Sequence, residues 1–183
     1  RNRSDDLYIF GPAGLDNIIT MHLKYTEMAL GYKVHFQTLD PGKTEKLLDN
    51  EFVTISSIPL DHRIPCTGFL FKEKTKSHRL KKTPDLPKMT IEEITRLKNG
   101  LDVMEEDGSI KYLVSEYTDP PRKSRAYAYC SDTRYNESII QHIKSVDLLY
   151  HESTFLSDQK IRAYETYHST AEQAAIIALK AEV

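Results

Sequence analysis

A chain of 183 residues with 25 Lys and Arg against 27 Asp and Glu has a formal net charge of -2. It is long enough to bury one core, and its balance excludes a global field that would draw the whole molecule onto nucleic acid or anionic lipid. Two cysteines, Cys66 and Cys130, with no CxxC spacing argue against a disulfide scaffold or a cysteine zinc site and for reduced thiols, while no apolar run approaches a membrane span and no signal peptide opens the chain; a cytoplasmic protein without membrane contact is expected.

In chain order, Leu7 to Phe10 is a short apolar run closed by Gly11-Pro12 and predicts a strand. Leu15, Ile18, Ile19, His22 and Leu23 follow at helical spacing, with Gly31 as the stop. Lys33 to Gln37, Phe52 to Pro59 and Thr67 to Lys72 have the alternation or β-branched content of strands, with Asp40-Pro41-Gly42 as a turn and His62 in the loop between two of the strands. KEKTKSHRLKK, Lys72 to Lys82, carries six Lys or Arg and one Glu before Pro84 and Pro87, and reads as an insertion over residues 72–89. A helix is predicted from Thr90, where Thr90 and Glu93 form a capping box and Gly100 ends the run; Glu106-Asp107-Gly108 is a turn. Arg125 to Cys130 predicts a buried strand, Asn136 to Lys144 a helix capped by Asn136, and Val146 to Tyr150 another strand. The last helix is expected to start at Ser169, with Glu172 completing its box. This alternation is α/β.

The candidate chemistry lies just past predicted strand ends, where α/β sheets gather ligands. Asp132 follows one strand and His151-Glu152 another, and His168 immediately precedes the last helix, whose free amides favour an anion such as phosphate. An acceptor-only carboxylate suits a metal, an imidazole suits a metal or a proton transfer, and a nearby Glu can fix the tautomer of a His. Singly, each residue reads equally well as ordinary structure: Asp132 as a turn residue, His151-Glu152 as a hydrogen-bonded strand end, His62 and His168 as packed loop histidines. His22, His35, His78 and His142 have no spacing that argues for a site.

Together, FGPAGL, DHRIPCTGF, YCSDTR, HESTF and HSTAEQAA occur in an order and spacing that resembles the ribonuclease Z family, the tRNA 3′-processing endonucleases of the metallo-β-lactamase superfamily. HESTF departs from the usual His-Glu-Ala-Thr-Phe only by Ser153. The resemblance implies a four-layer αβ/βα sandwich, incomplete here, with residues 1–183 forming part of a single domain. It implies two Zn2+ ions per site, with His62 as a terminal ligand and Asp132 as the carboxylate shared by both. His168 resembles the histidine that assists departure of the 3′-oxygen, Glu152 its orienting acid and His151 a supporting residue. The basic stretch, with Lys72, Lys74, Lys76, Arg79, Lys81 and Lys82, resembles an arm that clamps the body of precursor tRNA, and Arg122, Lys123 and Arg125 extend it; a solvated loop is the plain alternative.

One feature of the family is missing. Its His-x-His-x-Asp-His ligand run does not occur among the seven histidines of this chain, and two metal-binding residues are too few for two ions. The expectation is a fragment of a longer, homodimeric enzyme, inactive by itself. Two rivals stand beside it: a superfamily phosphodiesterase acting on another nucleotide or RNA, and a non-catalytic tRNA-binding or dimerisation module.

Overall fold

The computed structural model describes residues 3–83 and 86–183; Pro84, read above as part of the basic stretch, lies outside the described residues with Arg1, Asn2 and Asp85. Two compact units are formed, one by residues 1–72 with 125–183 and one by residues 73–124.

The first unit begins with β1 (Leu7–Gly11), α1 (Leu15–Tyr25) and β2 (Val34–Thr38). β1 and β2 pair in parallel with Leu7 opposite Val34, a pairing that requires a crossover, which α1 supplies. The helix stops at Tyr25, well before Gly31. Thr26 Oγ1 donates to the His22 carbonyl at 2.8 Å, and Glu27 takes the left-handed conformation at φ 53° while Met28 N–H reaches back to the Leu23 carbonyl at 3.1 Å. The helix is thus closed by its own last turn without glycine.

β3 (Lys46–Asp49), β4 (Val53–Pro59) and β5 (Thr67–Glu73) follow. β3 has no sequence signal, because KLLD neither alternates nor carries β-branched residues; it forms by pairing antiparallel with β4 across a turn in which Asn50 Oδ1 accepts from Phe52 N–H and Val53 N–H, both at 2.9 Å.

The second unit opens within the basic stretch. It contains β6 (Arg79–Leu80), α2 (Ile91–Lys98), β7 (Val103–Met104), β8 (Ile110–Tyr112), α3 (Val114–Tyr117) and β9 (Thr118–Asp119), with β6 antiparallel to β9 and β7 to β8. Thr90 and Glu93 form the expected box: Glu93 N–H donates to Thr90 Oγ1 at 3.2 Å and Thr90 N–H to Glu93 Oε2 at 2.7 Å. Leu97 and Val103 are buried in this unit.

The chain then returns to the first unit with β10 (Ala126–Cys130), α4 (Ile140–Ile143), β11 (Leu148–His151), α5 (Lys160–Glu165) and α6 (Ala171–Lys180). The sheet order is β11-β10-β5-β4-β3, with β11 parallel and β5 antiparallel to β10. Strand periodicity puts Ala128 and Cys130 on one face, where they pack with Ile58, Leu70, Ile139, Ile143, Ile177 and Ala181. Each fully buried Ile in that set contributes roughly 1.5–3 kcal/mol. Gly68 in β5 is required by close approach, since a Cβ there would stand 2.7 Å from the Tyr129 carbonyl. The opposite face is aromatic: Phe71 stacks on Tyr127 at 5.8 Å and Tyr129 on Tyr150 at 4.7 Å, and an apolar cavity of about 590 Å³ lies between Tyr8, Phe10, Leu48, Ile55, Phe69 and Phe71.

Helix α6 begins one residue later than Ser169 and Glu172 implied. Thr170 is the cap: its Oγ1 accepts from Gln173 N–H at 3.2 Å, and Gln173 Oε1 accepts from Thr170 N–H at 2.9 Å. Ser169 is not available to cap, because its buried hydroxyl donates to the Thr133 carbonyl at 2.7 Å.

Candidate active site

The parallel pairing of β10 and β11 sets Cys130 opposite His151, so the segments carrying Asp132 and Glu152 leave the same end of the sheet. Phe155 fastens the second of them to the start of α6: its N–H donates to the Ser169 carbonyl at 3.2 Å, and its carbonyl accepts from Ala171 N–H at 2.9 Å. Glu152 is thereby held beside His168. Their ligand atoms and one from the exposed Asp132 all lie within 4.8 Å of one another.

Glu152 is 6% exposed and fully engaged. Its Oε1 accepts from Thr133 N–H at 2.9 Å and His168 Nδ1–H at 2.7 Å. Its Oε2 accepts from Thr154 N–H at 3.2 Å, the Thr154 hydroxyl at 2.7 Å and Ser169 N–H at 3.2 Å. Burial pushes the carboxyl's pKa up, and the donors, led by Thr133 N–H, overcome it, so that the group is held below its ordinary value.

Three imidazoles share one arrangement. His168 gives its Nδ1–H to Glu152, His62 gives its Nδ1–H to the Tyr167 carbonyl at 2.9 Å, and His151 gives its Nδ1–H to the Glu152 carbonyl at 2.7 Å. The acceptors fix the tautomer, since neither a carbonyl nor a carboxylate can donate. In its neutral form each ring therefore keeps a lone pair on Nε2. His151 Nε2 is buried and has no partner among the described residues.

No family model matches the chain. Relatives do: it is 51% identical over 180 residues to the ribonuclease Z of Cytophaga hutchinsonii, covering 98% of this chain and 58% of that one. It is 42% identical over 184 residues to the ribonuclease Z of Bacteroides fragilis, covering 99% and 60%. Over the residues it spans, the chain is similar to these ribonucleases Z. It spans roughly three fifths of the length of these curated relatives. Human tRNase Z, short form, superposes with a TM-score of 0.60 at 19% identity over 96% of this chain and 57% of that one, and the fold is the α/β fold of the metallo-β-lactamase type.

Set beside the ribonuclease Z family, the residues singled out in the sequence fall into two groups. Asp132, Glu152 and His168 come together, and the ring of His62 stands 5.1 Å from that of His168. Lys72 lies in β5 opposite Ala126, whereas Lys74, Lys76, Arg79, Lys81 and Lys82 lie in the second unit. Within that unit Lys81 Nζ donates to the Ser115 carbonyl at 2.9 Å and Lys76 Nζ stands 3.6 Å from Glu73 Oε1.

Sequence reasoning gave Thr133 and Thr154 no role and read Ser169 only as a helix start, yet all three donate to Glu152; each flanks a site residue, but Ser and Thr are too common for that to be a signal. As a donor set for a divalent cation, the Asp132 carboxylate and the Nε2 atoms of His62 and His168 are chemically suitable. Glu152 is close enough to share an ion with Asp132 and His168, yet its oxygens are already taken by five hydrogen-bond donors, which suits an orienting carboxylate better than a ligand.

Proposed function

We propose that the protein to which this chain belongs is a zinc-dependent endoribonuclease that removes the 3′ trailer from precursor tRNA, leaving a 3′-hydroxyl on the tRNA and a 5′-phosphate on the trailer. The observation that carries this reading is the 2.7 Å Glu152–His168 pair beside Asp132, in a chain that shares 51% identity with a ribonuclease Z. Bound zinc supplies acidified water and charge neutralisation at phosphorus. His62 and Asp132 are the residues of this chain that would hold it, Asp132 as the carboxylate shared by two ions. With its Nδ1–H on Glu152, His168 can carry a second proton on Nε2 and deliver it to the departing 3′-oxygen, and the Glu152 carboxylate stabilises the imidazolium while that proton is held. His151 braces the same loop through the Glu152 carbonyl.

The reading extends to substrate and assembly. Lys72, Lys74, Lys76, Arg79, Lys81 and Lys82 are proposed to neutralise phosphates on the tRNA body, and the working form is a cytoplasmic homodimer. His62 and Asp132 are too few to hold two ions, so the 183-residue chain alone is expected to be inactive.

The deciding experiment is His168→Ala in the longer protein. Cleavage of precursor tRNA should slow by about 10²- to 10⁴-fold with zinc content, measured by elemental analysis, unchanged. Loss of zinc in that variant would make His168 a ligand and defeat the assignment.

A further inference from the structure

His62 has further supports of its own, which meet the Glu152 network at Thr133. Asp61, its neighbour, is tied to the loop after β10 three times: Asp61 N–H donates to Thr133 Oγ1 at 3.1 Å, Arg134 N–H to the Asp61 carbonyl at 2.9 Å, and Arg134 Nε–H to Asp61 Oδ2 at 2.6 Å. The Arg134 guanidinium also lies 4.3 Å from the ring centroid of Tyr167 and 4.9 Å from that of Tyr164. A planar cation can stack on aromatic faces while bonding a carboxylate at its edge.

Tyr167 closes the circuit. Its carbonyl is the acceptor for His62 Nδ1–H, and its backbone sits at φ 61°. The position ends α5: Tyr167 N–H reaches the Tyr164 carbonyl at 3.2 Å and His168 N–H the Ala163 carbonyl at 2.8 Å. Helices ordinarily put glycine at such a place, because a Cβ is disfavoured there. A tyrosine therefore works against local backbone preference, and what its ring gains is the stacking with Arg134.

From this we infer that Arg134 and Tyr167 are positioning residues for His62: the Arg134–Tyr167 stack aims the Tyr167 carbonyl, which fixes the tautomer and plane of the imidazole and directs Nε2 as a metal ligand. The inference rests on the proposed role of His62. An outer partner of this kind typically changes metal affinity by 10- to 100-fold.

The test compares Tyr167→Gly, Tyr167→Phe and Arg134→Lys in the longer protein. Three quantities are measured: melting temperature, zinc affinity by competition with a chromophoric chelator, and the imidazole Nδ1–H resonance of His62 in metal-free protein. Tyr167→Gly should melt at or above the parental temperature, since glycine suits the backbone, yet its zinc dissociation constant should rise 10- to 100-fold and the His62 resonance should be lost to exchange. Tyr167→Phe, which keeps the ring, should match the parent in all three. Arg134→Lys should weaken zinc in the same direction as the glycine variant, because an ammonium cannot lie flat between two rings. Parental zinc affinity together with a protected His62 proton in Tyr167→Gly would overturn the inference, as would a fall in melting temperature with affinity intact. If His62→Ala leaves zinc affinity unchanged, the metal reading fails instead, and the His62 resonance still decides whether the ring is positioned by Tyr167.

Discussion

Glu152 accepts the Nδ1–H of His168 at 2.7 Å while the backbone N–H of Ser169, the next residue along, reaches the same carboxylate at 3.2 Å. One buried anion therefore fixes both the ring of His168 and the chain that leads into α6. Thr133 N–H adds the loop after β10 to the same acceptor.

Glu152→Gln should consequently lose on two counts. An amide NH2 cannot accept, so a backbone N–H is left facing a donor, at a cost of roughly 1–3 kcal/mol in chemical denaturation. Without the anion the His168 imidazolium is no longer stabilised, and cleavage by the longer protein should drop by about 10²-fold or more.

The same carboxyl sets a pH dependence. Because its pKa in the folded chain lies below the ordinary 4.5, the unfolded chain binds more protons there. The stability it contributes is complete above about that pH and is lost as pH falls through the folded value. Acid titrations followed by circular dichroism should show this loss in the parent and a flatter profile in Glu152→Gln; identical slopes would contradict it.

Helix α6 offers a second contrast. Thr170→Ala removes a cap and should lower stability by about 1 kcal/mol, and Ser169→Ala leaves the buried Thr133 carbonyl without its donor, at about 1–3 kcal/mol. Glu172→Ala, exposed on the first turn, should stay within about 0.5 kcal/mol. Thermal denaturation ranks the three.

For the basic stretch, neutralising Lys74, Arg79 and Lys82 together should weaken precursor tRNA binding and flatten its salt dependence by about 0.7–0.9 in the log–log slope for each phosphate left without its cation. Lys72→Gln is a poorer probe, since Lys72 sits in β5. Turnover on a small phosphodiester should be untouched by the triple change. Unchanged tRNA affinity would favour the small-substrate rival.

The two thiols should differ sharply. Cys130 is wholly buried, and burial pushes its pKa up to about 12, with Cys66 adding to the shift. In native protein at pH 8 a disulfide reagent should modify no more than Cys66 quickly, and Cys130 only on unfolding.

The strands that build the sheet centre were legible from alternation, β-branched content or, for Arg125 to Cys130, a run that reads as buried; the structure buries Ala128 and Cys130 and leaves Tyr127 and Tyr129 half-buried. The caps at Thr90 and Asn136 were legible too, since each needs only one side chain and the next turn. β3 was not, as KLLD becomes a strand only through β4. The α1 stop at Gly31 failed because Glu27, a non-glycine residue, takes the left-handed turn first, and the α6 start at Ser169 failed because Thr133, across the site, engages the Ser169 hydroxyl. The motif residues announced themselves by type and order. Their supports, Thr133, Arg134 and Tyr167, did not, because a hydrogen bond spanning 105 positions, as from His62 to Tyr167, leaves no periodic trace.

The shared use of Nδ1 by His62, His151 and His168 has a thermodynamic corollary. The rotational freedom of these rings is surrendered once, during folding, to acceptors within the polypeptide. Capture of an ion or a phosphate then demands little further freezing of side chains, so affinity is governed by desolvation and charge and not by the disorder that a loose set of imidazoles would have to lose.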